Sequence, residues 1–523
     1  GYDWAADAEG IFFTSRAAAP EKEGEERHNR SFEVGDHSYL VRSAPRPRHL
    51  WYQPLSGGAP EALTEGPESV EGFRVSPDRR TLALYVRASA ESGVREQSVV
   101  RLLDLETGEA RPVDGQTLTY LRTFSPDGRY LVVGRPRGAP SGFSPTHILL
   151  APVGGGPTVD LTPDIDRDLD GVEWLPDGRS MLVTGVDGTR TVMWQVFLDG
   201  SPPVRIALDG MEVLQKEATP DGRLVILAEH PDRPADLYVT QMGAWEPRRI
   251  TDLNPMFDDI ATGRTEGIEW EGPDGRRVNG VLRYPPDYRE GVRYPLVLDI
   301  HGGPMSSSTE SWDLPALHMA AQGWLVLAPN YRGSSNMGTE FQSAVLGDPA
   351  DGPARDIMSG VEHLKSLGIV DESRVAVSGW SYGGFMTTWL AAHYDGWSAA
   401  VAGAAVTDWF DAYNLADITD YFRREMGGSP WVGDNAEAYR RWSPITYAHQ
   451  IETPTLILAT IGDERVPITQ SYKLFRALED NGTEVQFIAY PVGGHFPSDP
   501  VHRRDVIRRW PDWIAEQFEA GSS

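Results

Sequence analysis

Apolar and polar positions alternate with a period of two through the first half of the chain, and the short alternating runs are punctuated by one recurring turn. Phe73-Arg-Val-Ser-Pro-Asp-Arg-Arg80, Phe124-Ser-Pro-Asp-Gly-Arg129, Trp174-Leu-Pro-Asp-Gly-Arg179 and Ala218-Thr-Pro-Asp-Gly-Arg223 each set Pro-Asp ahead of an apolar run. Proline presets φ at about −65°, aspartate bonds its own backbone, and glycine, in three of the four, supplies a positive φ, so each unit encodes a tight reversal between two strands. Pro77, Pro126, Pro176 and Pro220 stand 49, 50 and 44 residues apart. Between these turns an alternating strand runs into a Gly-rich or polar turn, as in Leu50–Gly58, Val100–Gly108, Ile148–Gly155, Trp194–Gly200 and Leu237–Gly243. Four strands per unit at this spacing predict propeller blades, since one such sheet cannot cover both its faces and must stack on its neighbours. Five units are clear and Trp4–Phe13 reads as a partial one, so residues 1–262 are expected to form an all-β propeller of six or seven blades. The charged insert from Ala17 to Arg48, including Pro20–Arg27, reads as a solvated loop.

After Arg264 the period changes, and strands alternate with helical stretches instead of with other strands. Buried strands are predicted at Tyr294–Ile300, Trp324–Ala328, Val375–Ser378, Ala399–Ala405, Pro454–Ala459 and Val485–Ala489, with helices at Ala354–Leu367, Met386–His393 and Ile468–Asp480. This is the pattern of a doubly wound, mostly parallel sheet, and residues 263–523 are expected to form an α/β-hydrolase catalytic domain. In such sheets reactive groups sit on loops at the carboxyl ends of strands.

Three of those loops carry chemistry. Val375–Ser378 leads into Gly379-Trp380-Ser381-Tyr382-Gly383-Gly384 and then a helix, the strand-turn-helix context of a Gly-x-Ser-x-Gly nucleophile turn. A serine hydroxyl needs a base, and the base needs an acid to hold its tautomer. Asp463 follows 82 residues later, after the Pro454–Ala459 strand, and His495 another 32 residues on, after Val485–Ala489. Ser381, Asp463 and His495 thus form a candidate catalytic triad in the chain order of this fold. The backbone N–H of Tyr382 is one expected oxyanion donor; the N–H of Gly303, or of Gly302, in His301-Gly302-Gly303-Pro304 is the second. His301 either positions that loop or fills space. Arg332 either contacts substrate or braces its loop, and Trp409 and Phe410 read either as walls of a substrate pocket or as core.

Composition narrows the partners. The 523 residues hold 48 Lys+Arg against 76 Asp+Glu, a net charge of −28, which repels nucleic-acid phosphates and anionic lipid headgroups. Without cysteine the chain has no disulfide, thiolate zinc site or cysteine nucleophile. No apolar run reaches about 18 residues, so no membrane partner is expected. No metal or organic cofactor is implied, there being no His-Glu-x-x-His, phosphate-loop or dinucleotide signature. The sequence opens at Gly1 without a basic, then apolar, leader, so a signal peptide is absent or already removed; the chain is read as cytoplasmic, with secretion left open. A homo-oligomer is compatible with the sequence.

With Gly379-Trp-Ser-Tyr-Gly-Gly384, His301-Gly-Gly-Pro304, Asn330-Tyr-Arg-Gly-Ser334 and Ser443-Pro-Ile-Thr446 in place, the chain resembles the prolyl oligopeptidase family of serine peptidases, in its acylaminoacyl-peptidase and dipeptidyl-peptidase branch. The resemblance implies a peptidase for short peptide or acyl-peptide substrates, with Ser381, Asp463 and His495 as its triad and a propeller that restricts access to a cavity between two domains. It also implies seven or eight blades. Prolyl-type members have an oxyanion-hole Tyr where this chain has His301, and the paired glutamates of dipeptidyl members are not recognisable here. An esterase or small-molecule amidase with the same triad, and a binding propeller with a silent hydrolase domain, are the alternatives.

Overall fold

The computed structural model describes residues 1–5, 9–19, 21–91, 98–113, 120–138, 142–208 and 210–521. Five four-stranded antiparallel sheets fill the N-terminal part, each with its strands in chain order. The first joins Tyr2–Trp4, Gly10–Arg16, Arg48–Pro54 and Glu61–Ala62. The stretch expected as a partial unit, Trp4–Phe13, therefore shares a sheet with the Leu50 strand, Phe13 lying opposite Trp51. Residues 6–8 of that stretch, and Pro20 of the charged insert, lie outside the described residues.

The recurring turns close as their sequence dictates. Ser76, Ser125 and Leu175 donate their backbone N–H to the carbonyls of Thr81, Tyr130 and Ser180. Gly128, Gly178 and Gly222 take φ of 70°, 61° and 84°, and Arg79, at the matching position of the glycine-free turn, takes 58°. The strands that follow bury alternate residues on opposite faces: Leu82 packs toward the first sheet and Ala83 toward the third, Val133 toward the second and Val132 toward the fourth, Met181 toward the third and Leu182 toward the fifth. Period two thus feeds two separate cores per sheet, which stacks the sheets face to face. The leading strands, Ser69–Val75, Tyr120–Phe124, Leu169–Trp174 and Glu212–Ala218, border one shared cavity of about 630 Å³ with Arg74, Thr123, Glu173 and Ala218 on its wall.

The C-terminal part is built on one mixed eight-stranded sheet: β1 (Thr265–Glu271), β2 (Arg277–Arg283), β3 (Tyr294–Ile300), β4 (Leu325–Asn330), β5 (Val370–Trp380), β6 (Ala399–Gly403), β7 (Thr455–Gly462) and β8 (Val485–Gly493), in the order β1-β2-β4-β3-β5-β6-β7-β8. β3 to β8 are parallel; β1 and β2 add an antiparallel edge that the sequence reading had not assigned. Helices cover both faces, as parallel strands buried on each side require. On one face Leu296, Leu298, Val375 and Val377 pack with α1 (Asp351–Ser366) and α2 (Tyr382–His393); on the other Val297, Val326, Ala376 and Leu456 pack with the C-terminal Pro500–Ala520 helix. Among the described residues no helix is long and apolar enough to cross a membrane.

The two parts are tied by polar and aromatic contacts. Glu310, 6% exposed, accepts from Thr189 Oγ1 (2.8 Å) and from Arg190 Nε and Nη2 (3.0 and 2.8 Å). Thr339 Oγ1 donates to Asp166 at 2.6 Å, and Asn336 Nδ2 to the Gly188 carbonyl at 2.6 Å. Phe143, from the connection between two strands of the third sheet, is fully buried in the C-terminal core and stacks on Tyr421 at 4.9 Å.

Candidate active site

Ser381 stands between β5 and α2 with φ 63° and ψ −120°, a conformation that non-glycine residues rarely adopt. The flanking glycines explain how the turn exists. A Cβ on Gly383 would lie 1.9 Å from the Ile300 carbonyl oxygen, and one on Gly379 would lie 2.5 Å from the Gly383 carbonyl carbon. The turn is held by Ser381 N–H donating to the Gly403 carbonyl at 2.8 Å, and by the ring of Trp380 lying where a Cβ on Gly403 would be. Ser381 thus caps α2, whose first residue, Tyr382, has a backbone N–H with no carbonyl of a preceding turn to bond.

Asp463 and His495 come from the loops after β7 and β8, which run side by side in parallel. Asp463 is wholly buried; its Oδ1 accepts from the N–H groups of Arg465 (2.8 Å) and Val466 (3.0 Å), leaving Oδ2 on His495 Nδ1 at 2.7 Å. This geometry fixes the imidazole with Nδ1–H toward the acid. His495 Nε2 is buried and has no hydrogen-bond partner among the described residues. The histidine loop is held from two sides: Gly494 N–H donates to the Gly462 carbonyl at 3.1 Å, and Trp380 Nε1 donates to the His495 carbonyl at 2.9 Å. Trp380, the residue before the serine, therefore links the serine turn to the histidine loop, a role the sequence reading missed because the contact spans 115 residues.

Ser381, His495, Tyr382, Gly302, Gly303 and Trp409 all line one cavity of about 570 Å³. Gly302 lies against the serine, since a Cβ there would sit 3.2 Å from Ser381 Cβ, while Gly303 has φ 120°, open to glycine alone. Gly142 brings the N-terminal part onto the same wall.

The remaining candidates fall elsewhere. His301 is off the cavity wall: its Nε2 pairs with Ser334 Oγ at 2.9 Å, its ring stacks on Tyr331 at 4.5 Å, and burial pushes its pKa down to about 4, so it stays neutral and shapes the loop. The Arg332 guanidinium is committed to Asp356 through Nε (2.8 Å) and Nη2 (2.6 Å) and reaches Asp274 at 3.0 Å, so it braces its loop and is not free for a substrate. Phe410 packs on Trp431 and Tyr439, off the cavity wall, whereas its neighbour Trp409 is on it. Of the four residues proposed as substrate contacts, only Trp409 borders the cavity. Phe422, Tyr421 and Glu425, which do border it, lie on a short helix the sequence reading did not assign.

Comparison with known proteins was made against this geometry. The chain is 32% identical over 350 residues to the uncharacterized peptidase YuxL of Bacillus subtilis, covering 66% of this chain and 52% of YuxL. It is 24% identical over 472 residues to dipeptidyl-peptidase 5 of Porphyromonas gingivalis, covering 88% of this chain and 69% of that protein. The chain thus spans between about half and two thirds of the length of these curated relatives. In fold it is similar to the acylaminoacyl peptidase of Pyrococcus horikoshii, with a TM-score of 0.84 at 21% identity over 99% of this chain and 81% of that one. It is also similar to a puromycin hydrolase, with a TM-score of 0.70 at 18% identity over 98% of this chain and 93% of that one. Residues 310–521 match the sequence profile of the prolyl oligopeptidase family, so the segment that holds Ser381, Asp463 and His495 is a prolyl oligopeptidase family domain.

Proposed function

We propose that the chain is a serine peptidase that cleaves short peptides, of acylaminoacyl- or aminopeptidase type, through an acyl-enzyme on Ser381. The observation that carries this reading is the His495–Asp463 pair at 2.7 Å, with the opposite imidazole nitrogen unpartnered and the strained Ser381 on the same cavity. Ser381 Oγ attacks the scissile carbonyl carbon and its proton passes to His495 Nε2. Asp463 holds the ring in the required tautomer and stabilises the imidazolium. The N–H groups of Tyr382 and Gly303 donate to the oxyanion. Collapse of the tetrahedral intermediate breaks the C–N bond, the amine leaving with the proton from His495. Water then repeats the sequence and frees the acid and Ser381. The family match and the peptidase names of the relatives favour an amide over an ester substrate.

The five-sheet array is read as a β-propeller over residues 1–262 that restricts access, with residues 263–523 as the catalytic domain. The shared cavity of the leading strands and the face-to-face stacking support the propeller, and Gly142 on the active-site wall supports the gating role. The described residues form five such sheets, and six or seven blades are expected from the sequence.

The test is fluorophosphonate labelling together with turnover of acetyl-aminoacyl nitroanilides, free aminoacyl nitroanilides and nitrophenyl esters. Labelling lost on Ser381→Ala with amide turnover in the wild type supports the reading. Ester turnover alone would replace it with an esterase, and no labelling with a binding protein.

A further inference from the structure

The cavity beside Ser381 holds a buried carboxyl that the proposed chemistry does not use. Glu425 ends the short helix Thr419–Glu425 and lies one turn beyond Phe422, on the same face. It is 1% exposed, it borders the cavity, and both carboxylate oxygens are buried without a hydrogen-bond partner among the described residues. The neighbouring hydroxyls are engaged elsewhere: Tyr382 donates to the Pro349 carbonyl, Tyr331 to the His301 carbonyl, Tyr439 to the Gly428 carbonyl and Tyr421 to Met305 Sδ. Of the cavity's cations, Arg465 is held by Asp417 at 2.7 Å, and Arg424 Nε donates to the Asp420 carbonyl at 3.1 Å. Burial alone raises the Glu425 pKa, to about 8, with no protein charge offsetting it.

An isolated buried carboxyl is costly, and a native chain keeps one when something outside the protein completes it. Other walls of that cavity say what fits: Trp409, Phe422 and Val406 are buried and apolar, with Tyr382 and Tyr421 alongside. Apolar walls beside an unsatisfied carboxyl suit a long aliphatic stem ending in a cation, whose charge favours the ionised carboxylate.

We propose that Glu425 is the specificity determinant of this site, and that it takes the ammonium or guanidinium of a lysine or arginine side chain on the acyl side of the scissile bond. The stem lies against Trp409 and Phe422, and the charged end pairs with the carboxylate that no protein group satisfies. The net charge of −28 draws such substrates toward the molecule. The assignment rests on the reading of Ser381 as nucleophile, and its test separates the two.

Fluorophosphonate labelling of the wild type checks the nucleophile alone. The specificity is then read as kcat/KM on acetyl-aminoacyl coumarin amides bearing Lys, Arg or norleucine, and on unblocked glycyl-Lys and glycyl-norleucine amides. The expected result is at least tenfold preference for Lys and Arg over norleucine in the blocked series, falling to about onefold in Glu425→Gln and partly restored in Glu425→Asp. Because the readout is a ratio within each enzyme, a general loss of activity does not mimic it. Should the variants fail to fold, n-butylammonium against n-butanol as competitive inhibitors of the wild type gives the same comparison, the cation binding at least tenfold tighter. Labelling with no cation preference, a preference unchanged in Glu425→Gln, or a Glu425 effect confined to the unblocked series, where the free amino terminus would be the ligand, overturns the proposal and leaves the nucleophile standing. Absence of labelling overturns both.

Discussion

Two cavities of similar size, about 630 Å³ among the leading strands of the N-terminal sheets and about 570 Å³ beside Ser381, are built on opposite principles. The first is a by-product of repetition. Its wall comes from equivalent strands and turns, and its charged groups are engaged: Arg74 donates to the Phe73 carbonyl, Asp3 accepts from the Trp4 N–H, and Glu173 accepts from the Ala218 N–H. The second is assembled from loops far apart in sequence, and it leaves atoms unsatisfied at His495 Nε2 and Glu425. A wall whose charged groups are engaged gives shape; one that leaves an imidazole nitrogen and a carboxyl unmatched gives binding and chemistry.

If that contrast holds, substitutions in the second cavity act on catalysis and those in the first barely do. The largest effect is expected at Asp463. Asp463→Asn keeps the volume but no longer holds Nδ1–H toward the acid, and kcat should fall by about 10⁴-fold, measured by burst and steady-state kinetics. A drop of under tenfold would put the supporting acid elsewhere.

Next comes a stability effect at Glu425. Its folded pKa, raised to about 8 from an ordinary 4.5, means the folded state binds the proton more tightly than the unfolded chain. The stability this gives is present below about pH 4.5 and is lost as pH rises through 8, by an amount on the order of a few kcal/mol. Glu425→Gln has no such slope. Thermal melts of the two proteins at pH 5 and pH 8.5 should therefore show the variant gaining on the wild type at the higher pH; a constant difference would mean an ionised, paired Glu425.

A smaller effect is expected at Trp380. Trp380→Phe removes the hydrogen bond to the His495 carbonyl, worth about 1 kcal/mol, and kcat/KM should fall about fivefold while fluorophosphonate labelling persists. Smallest of all, Arg74→Ala on the first cavity should leave turnover of a single aminoacyl reporter within about twofold. A tenfold change there would break the division between the two cavities.

What could be read from the sequence follows the same division. The Pro-Asp turns and their alternating strands are local patterns, and so are the six apolar runs that became β3 to β8. The serine turn was legible because glycines at 379 and 383 are demanded by carbonyls that the structure sets within 2.6 Å of any added Cβ. The edge strands β1 and β2 were not assigned: β1, Thr265-Glu-Gly-Ile-Glu-Trp-Glu271, carries only two large apolar residues, and β2 pairs antiparallel on an otherwise parallel sheet. The Arg332–Asp356 pair, the Trp380 link and Glu425 depend on contacts between distant segments, which no window of sequence displays. The first sheet shows the same limit, because the partial unit at its start joined a strand more than 30 residues further on.

Phe143 adds a mechanical consequence. Its ring leaves the third sheet to seat on Tyr421, itself on the cavity wall. Unseating that ring would cost about 1.5–3 kcal/mol of hydrophobic burial, so its contact resists separation of the third sheet from the C-terminal core. The ring thus couples the third sheet directly to a tyrosine on the wall of the serine's chamber.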